Sequence, residues 1–271
     1  MNGKNSKNAS AGGKAKVKAR VMSQQMLAED IYDLRLETSL AGKAGAGQFI
    51  GIYPKDGARL LPRPLSICEA DKEKEELRIV YRIAGEGTRE FSAWQPGDEA
   101  DILGILGNGF PVTEAKGKKV VLMGGGIGIP PMVQLAKELA ALSLETMIIA
   151  GYRDNQLFLK EDLERHGKLW IATEDGSAGI KGNVLTVMEE IQGKADMIMA
   201  CGPMPMLRAV KSYAENKGIK AYLSLEERMA CGVGACLGCV CKTTHRDGHS
   251  HVNNARICTE GPVFEAGEVD I

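Results

Sequence analysis

The chain has 271 residues, 44% hydrophobic and 25% charged, with a formal net charge of -1. That length suggests about two domains with ordinary buried cores, and the near-neutral balance gives no reason to expect nucleic acid or a membrane surface as partner. No apolar run approaches the roughly 20 residues that span a bilayer.

In chain order, the first 18 or so residues are rich in Lys, Asn, Ser, Gly and Ala and lack the apolar stretch of a secretory signal. We read 1–14 as a disordered basic tail and the protein as cytoplasmic. From 15 to 115, short alternating or apolar runs at 17–21, 31–37, 48–53, 78–82 and 99–103 are separated by Gly and Pro turns at 54–57, 85–87 and 96–98. Such spacing predicts a small antiparallel β-barrel. From 116 to 225 the texture changes. Apolar strands at 119–123, 146–150, 169–173, 196–200 and 221–225 alternate with helical patterns at 131–142, 159–166, 182–191 and 204–217, which means β-α-β units and a parallel sheet. Residues 226–271 form a third, cysteine-bearing region.

Five of the seven cysteines fall between positions 231 and 258, which favours a metal centre in a reducing compartment over a disulfide scaffold. Cys231, Cys236, Cys239 and Cys258 have the Cys-x4-Cys-x2-Cys…Cys spacing of plant-type [2Fe-2S] ligands. Gly232, Gly234 and Gly238 allow a tight loop with backbone N–H groups aimed at sulfur. Zinc would accept four thiolates too, but zinc sites usually pair two short knuckles and only the Cys236/Cys239 side has one. Cys241 is a fifth candidate that reads better as a small buried hydrophobe. Cys68 and Cys201 stand far away in sequence. Three of the four histidines, His245, His249 and His251, fall in one stretch that reads as an exposed polar hairpin, because four cysteines already suffice for one cluster.

Gly124, Gly125, Gly126 and Gly128 lie where a buried strand hands over to a helix, so bare backbone there suits a pyrophosphate. A tight strand-to-helix connection uses the same glycines. Cys201-Gly202-Pro203-Met204 ends a later parallel strand, and ligands of open α/β sheets bind outside the carboxyl ends of strands. The two segments are therefore expected to line one crevice, with Cys201 near a nicotinamide. Arg63-Pro64-Leu65-Ser66 offers an arginine fork for a flavin diphosphate and a hydroxyl for the isoalloxazine edge. Tyr81, Arg82, Gly87 and Thr88 add an aromatic platform, a second cation and a turn amide; taken alone, they read better as a cross-strand aromatic and a hairpin. At 151–154, Asp154 suits a ribose hydroxyl and Arg153 a phosphate, which leaves NAD against NADP open.

These motifs, together with 103–110, occur in the order seen in the ferredoxin reductase superfamily. Over residues 15 to 271 the chain resembles the electron-transfer subunits of class 1B dihydroorotate dehydrogenases. The resemblance implies an FAD-binding barrel, an NAD-binding α/β domain and a C-terminal [2Fe-2S] region. Arg63, Pro64, Leu65, Ser66, Tyr81, Arg82, Ile83, Gly87 and Thr88 would then hold FAD. An FMN-containing catalytic subunit, two copies of each chain per complex, and a place in pyrimidine synthesis follow from the same likeness.

Nicotinamide moves two electrons as a hydride and a cluster moves one, so a flavin has to stand between them. The expected order is partner FMN, [2Fe-2S], FAD, NAD+, with no general acid or base needed in this chain. The small flavin subunit of a ferredoxin:NADP oxidoreductase or sulfide dehydrogenase shares the module order. In that relative an aspartate replaces the first cluster cysteine, so Cys231 favours the dihydroorotate enzyme. A redox-sensing regulatory protein is the reading from another class.

Overall fold

The structure, a computed structural model, describes residues 15–246 and 251–271. The tail expected over 1–14, and His249, lie outside the described residues.

The first seven strands make one antiparallel sheet: β1 (Ala15–Ala28), β2 (Ile31–Glu37), β3 (Phe49–Tyr53), β4 (Arg63–Ser66), β5 (Glu69–Asp71), β6 (Glu76–Arg82) and β7 (Glu99–Leu106). Their spatial order is β4-β3-β7-β1-β2-β6-β5. The two edge strands, β4 and β5, are separated in sequence only by Ile67 and Cys68. The Ile67 amide donates to the Gln48 carbonyl at 3.0 Å, and the Cys68 amide to that of Arg78 at 2.9 Å. One short segment is therefore bonded to both sides, and the curled sheet is drawn round on itself as a barrel, with β4 and β5 as its edge strands.

Alternation along β6 turns Leu77, Ile79 and Tyr81 inward, where they join Leu34, Leu36, Ile50, Ile52, Ile67, Phe91 and Ile102 in the barrel core. Intervening Val80, with Cys68, packs instead against the second domain. The barrel differs from expectation in three places. β1 runs 14 residues instead of five; Arg63–Ser66 is itself a strand; and the turn expected at 85–87 opens a short helix, α1 (Glu86–Ser92). A proline-bearing strand is tolerated because β4 lies at a sheet edge.

The second sheet contains β8 (Val120–Gly125), β9 (Thr146–Tyr152), β10 (Lys168–Thr173), β11 (Ile180–Lys181), β12 (Met197–Cys201) and β13 (Lys220–Ser224). Between them run α2 (Pro130–Ala141), α3 (Lys160–Glu164), α4 (Val184–Glu190) and α5 (Met204–Lys217). All six residues of β8 are buried, as a central parallel strand covered on both faces requires. Pro130 and Pro131 occupy the first turn of α2, where no amide is needed. Asn183 caps α4, and Gly218 ends α5 with φ 64°.

The C-terminal region supplies β14 (Val240–Lys242), paired with β15 (Asn254–Arg256), and β16 (Val263–Glu265). β16 adds an antiparallel edge to the parallel sheet, giving the order β11-β10-β9-β8-β12-β13-β16. The third region is thus stitched to the second by backbone pairing, which the sequence reading did not foresee. It also touches the barrel, because the Asn108 amide donates to the Gly261 carbonyl at 2.6 Å.

Barrel and α/β domain meet through buried charge. Arg78 on β6 binds Asp33 of β2 at 2.9 Å and Asp162 of α3 at 3.0 Å, with Arg78 and Asp33 side chains 8% and 1% exposed. Gln134 of α2 accepts the Ala70 amide at 2.9 Å, and Lys137 binds Glu69 at 2.7 Å.

Candidate functional site

The strand order reverses between β8 and β12, so their carboxyl ends diverge and open a crevice. Gly124 and Cys201 stand side by side in register there. A Cβ at Gly128 would lie 2.4 Å from the Cys201 carbonyl oxygen, and one at Gly125 would lie 2.4 Å from the Met206 sulfur. The glycines are required by the close approach of the two segments. Both predicted segments therefore do come together. Cys201 is partly buried and burial pushes its thiol up to about 12, so it is a neutral group at the strand end and no nucleophile.

A cavity of about 430 Å³ opens at this end, lined by Gly125, Gly126, Pro203 and Met206 on one side and by the 28–31 turn and Arg82 of the barrel on the other. Gly126 has φ 52°, and a Cβ on it would stand 3.7 Å from the Arg82 guanidinium. Arg82 is exposed and brings a cation to the glycine turn, as an anionic diphosphate requires. Met206 was missed from sequence because only the helical turn after Pro203 brings it back over Gly125.

Farther out, Arg153, Asp154 and Glu174 line the same cavity with Glu29 and Asp30. Asp154 accepts from the Gln156 amide at 2.9 Å and from its side-chain amide at 3.3 Å. Gln156 in turn accepts the Glu29 amide at 3.0 Å. Asp154 is thus committed to shaping its own loop and tying it to the barrel.

On the barrel, β4 carries Arg63, Pro64, Leu65 and Ser66, all partly exposed. Gly87 is where Arg63 crosses α1: a Cβ there would fall 2.5 Å from Arg63 Nε. Thr88 accepts the Ala84 amide at 2.9 Å and holds the entrance to α1. Tyr81 is placed differently from the aromatic platform expected of it. It is 1% exposed, stacks on Tyr32 across the β2–β6 ladder with ring centroids 6.0 Å apart, and its hydroxyl accepts from Gln24 at 2.7 Å. The strand's alternation sends its ring into the barrel and leaves Arg82 to face outward. Ile83 follows, its amide donating to the Asp30 carbonyl at 2.9 Å.

The cysteine loop brings four sulfurs together as two pairs. Amides of Val233 and Ala235 donate to Cys231 Sγ at 3.4 and 3.3 Å. Gly238 N–H reaches Cys236 Sγ, and Cys258 N–H reaches Cys239 Sγ, each at 3.4 Å. Although burial opposes ionisation, the amides of Val233, Cys236 and Ala235 and the neighbouring Cys236 thiol pull Cys231 down to about 6. Burial, then the adjacent Cys239, push Cys258 up to about 11. Gly232 and Gly234 have φ 68° and 86°, as a tight ligand loop demands. Gly238 does not; Leu237, with φ 56°, makes the remaining left-handed turn.

Cys239 and Cys258 are buried, Cys231 is intermediate and Cys236 exposed. Cys241 is half-buried, its thiol raised by burial, and it packs against the core shared by the second and third regions. Among the described residues no three His, Cys, Asp or Glu side chains converge as ligands of one ion. Two pairs of cysteine sulfurs, each with amides directed at sulfur, are a donor set that could hold a binuclear iron centre. Thr259 Oγ1, beside Cys258, is buried without a hydrogen-bond partner. His245 and His251 are exposed at the two ends of the connection between β14 and β15.

A flavin-reductase-type barrel joined to a nicotinamide-type α/β sheet, with a thiolate loop attached to both, defines an electron-transfer oxidoreductase module. Residues 122–212 match the oxidoreductase NAD-binding domain family, and residues 226–270 match the iron-sulfur cluster binding domain of dihydroorotate dehydrogenase B. The chain is 41% identical over 251 residues to the dihydroorotate dehydrogenase B (NAD(+)) electron transfer subunit of Streptococcus mutans, covering 92% of this chain and 96% of that protein. It is 40% identical over 255 residues to the same subunit from Lysinibacillus sphaericus, covering 93% and 97%. Among solved structures, an NADH-dependent reduced ferredoxin-NADP oxidoreductase superposes with TM-score 0.81 at 26% identity, over 96% of this chain and 91% of that one. A ferredoxin NADP+ reductase from Neisseria gonorrhoeae superposes with TM-score 0.65 at 16% identity, over 79% and 94%, which shows the shared fold.

The chain belongs to the family of dihydroorotate dehydrogenase B (NAD(+)) electron transfer subunits. It is an oxidoreductase subunit that passes electrons between a catalytic partner subunit and NAD+ through an iron-sulfur region and a flavin. Among the described residues no helix is long and apolar enough to cross a membrane.

Proposed function

We propose that the barrel holds FAD along Arg63–Ser66, with Arg82, Gly87 and Thr88 completing the site and Tyr81 serving as the buried wall behind it. Arg63 and Arg82 bind the diphosphate, and Gly87 leaves room for the Arg63 guanidinium. Nicotinamide enters the crevice between Gly124–Gly128 and Cys201–Met204, where the amides and Arg82 orient it and Met206 excludes water. When bound, a flavin exchanges a hydride with NAD+ and single electrons with an iron-sulfur centre. No residue of this chain has to move a proton; alignment within about 3–3.5 Å carries the rate.

The observation that carries this reading is the single cavity bounded by both the glycine turn and the barrel's Arg82. That shared wall supports a nicotinamide end and a flavin end meeting there. Cys231, Cys236, Cys239 and Cys258 hold the [2Fe-2S] centre, and Cys236, with the exposed Val233 and Leu237, faces the catalytic subunit. That subunit carries FMN and oxidises dihydroorotate; the complex contains two of each chain and works in the cytoplasm.

The test is copurification of the complex followed by anaerobic titration with dihydroorotate. Flavin and iron-sulfur absorbance should bleach and return on adding NAD+. A partner without FMN, or bleaching that NAD+ does not reverse, overturns the assignment. The ferredoxin-NADP oxidoreductase reading shares the fold but predicts no response to dihydroorotate.

A further inference from the structure

Thr259 follows the fourth cluster cysteine and packs against the ligand loop. A Cβ at Gly234 would lie 2.8 Å from Thr259 Cγ2 and 3.4 Å from Thr259 Oγ1. Gly234 is itself held by Arg256, whose Nη1 donates to its carbonyl at 3.0 Å. The Thr259 hydroxyl is buried and has no hydrogen-bond partner. A buried hydroxyl left unpaired is destabilising, so such a group calls for an acceptor. No cysteine sulfur accepts it, so the acceptor left for it in this corner is the sulfide of a cluster held by Cys239 and Cys258.

We propose that Thr259 Oγ1–H donates a hydrogen bond to a cluster sulfur on the Cys239/Cys258 side, and that this bond raises the cluster's reduction potential. The inference rests on the cluster assignment made above. Reduction adds one negative charge to the iron-sulfur core, so a donor aimed at sulfur stabilises the reduced form more than the oxidised one. No proton is transferred; the hydroxyl dipole acts by position alone. The backbone amides at Cys231 and Cys236 serve the other pair in the same way, but they are fixed by the loop, whereas this donor is a side chain that one substitution removes.

The experiment is an EPR-monitored redox titration of the purified holo-complex carrying wild-type chain, Thr259→Val or Thr259→Ser. Thr259→Val keeps the shape and removes the donor; Thr259→Ser keeps the donor. A neutral hydrogen bond worth about 1 kcal/mol predicts that the reduced-to-oxidised ratio at a fixed potential falls about fivefold in Thr259→Val, which is about 40 mV at 59 mV per tenfold. Thr259→Ser should stay near wild type.

An unchanged potential in a fully loaded Thr259→Val cluster overturns the proposal, as does an equal shift in Thr259→Ser. A wild-type complex with no iron-sulfur signal would instead refute the cluster assignment itself. Should Thr259→Val fail to load iron, the wild-type complex grown on side-chain-deuterated threonine decides. A threonine deuterium coupling to the reduced cluster, lost in Thr259→Ser, supports the contact; no coupling overturns it.

Discussion

The nicotinamide crevice and the cysteine loop solve the same problem, holding a redox group against backbone amides, by opposite means. The crevice is built from strand ends locked in register, Gly124 beside Cys201 and Cys201 beside Ser224. Its shape exists before any ligand arrives. The loop has no strand from Cys231 to Cys239 and is held by amide-to-sulfur contacts at 3.3–3.4 Å and by Arg256. On the proposed cluster assignment its order is tied to iron, as metal binding and local folding share one free energy.

The largest expected effect separates the two regions outright. Cys231→Ala removes a ligand from the pair whose thiolate the surrounding amides favour, and iron and sulfide content should fall more than about tenfold, the upper range even for losing an outer partner being 10–100-fold. NAD+ binding, measured by fluorescence quenching or calorimetry, should persist because the crevice needs no metal. Parallel loss of NAD+ affinity would mean that β16 transmits disorder from the loop into the parallel sheet, and the contrast drawn above would fail.

Next comes the joint between barrel and α/β domain. Arg78→Met leaves Asp33, 1% exposed, as an uncompensated buried charge, and breaking such a pair costs about 3–5 kcal/mol. The melting temperature should drop, and hydride transfer from NADH to flavin should slow while iron content is retained. A double change, Arg78→Met with Asp33→Asn, should recover stability without recovering the transfer rate, since Asp162 on α3 keeps only Arg165, at 3.0 Å, and is no longer tied to the barrel. Recovery of both would show that the ion pair contributes stability and has no part in setting the angle between domains.

What the sequence made legible follows from how local each signal is. The parallel strands could be read because burial on both faces writes a continuous apolar run such as 119–123, and the cysteine loop because Cys231, Cys236 and Cys239 fall within nine residues. Tyr81 was harder: its neighbours in sequence suggest a flavin wall, but only the barrel's closure through Ile67 and Cys68 decides that odd positions of β6 point inward. β16 left no readable signal, since three residues carry no period. Gly238 and Leu237 exchanged the expected backbone role, because left-handed φ is a property of the loop's path and glycine only makes it cheap. Met206 and Gln156 act through folding-back of segments that sequence distance conceals.

Within the crevice, Gly128→Ala is the sharper probe of preformed geometry. The added Cβ would lie 2.4 Å from a backbone oxygen, that of Cys201, which cannot swing aside as a side-chain tip would. Overpacking of this kind costs about 1–3 kcal/mol, and the KM for NAD+ should rise with iron and flavin content unchanged. Gly126→Ala, whose nearest neighbour is the end of Arg82 at 3.7 Å, should cost less through space and act mainly through its φ of 52°. Equal effects of the two would argue that backbone strain, and not the meeting of β8 with β12, sets this turn.

The smallest effect belongs to the cysteine that sits nearest the cluster in sequence without serving it. Cys241 pairs with Ala255 across β14 and β15 and packs on the core as a small hydrophobe, so Cys241→Ala should keep iron content and lose only about 1 kcal/mol of stability, near the centre of the distribution for single substitutions. Burial raises its thiol above the ordinary value. A raised pKa means the protonated form persists at neutral pH, so alkylation of Cys241 should stay slow there and accelerate only when the medium passes above the usual thiol range. Loss of iron in Cys241→Ala would instead place a fifth sulfur inside the ligand set and would redraw the pairing of the other four.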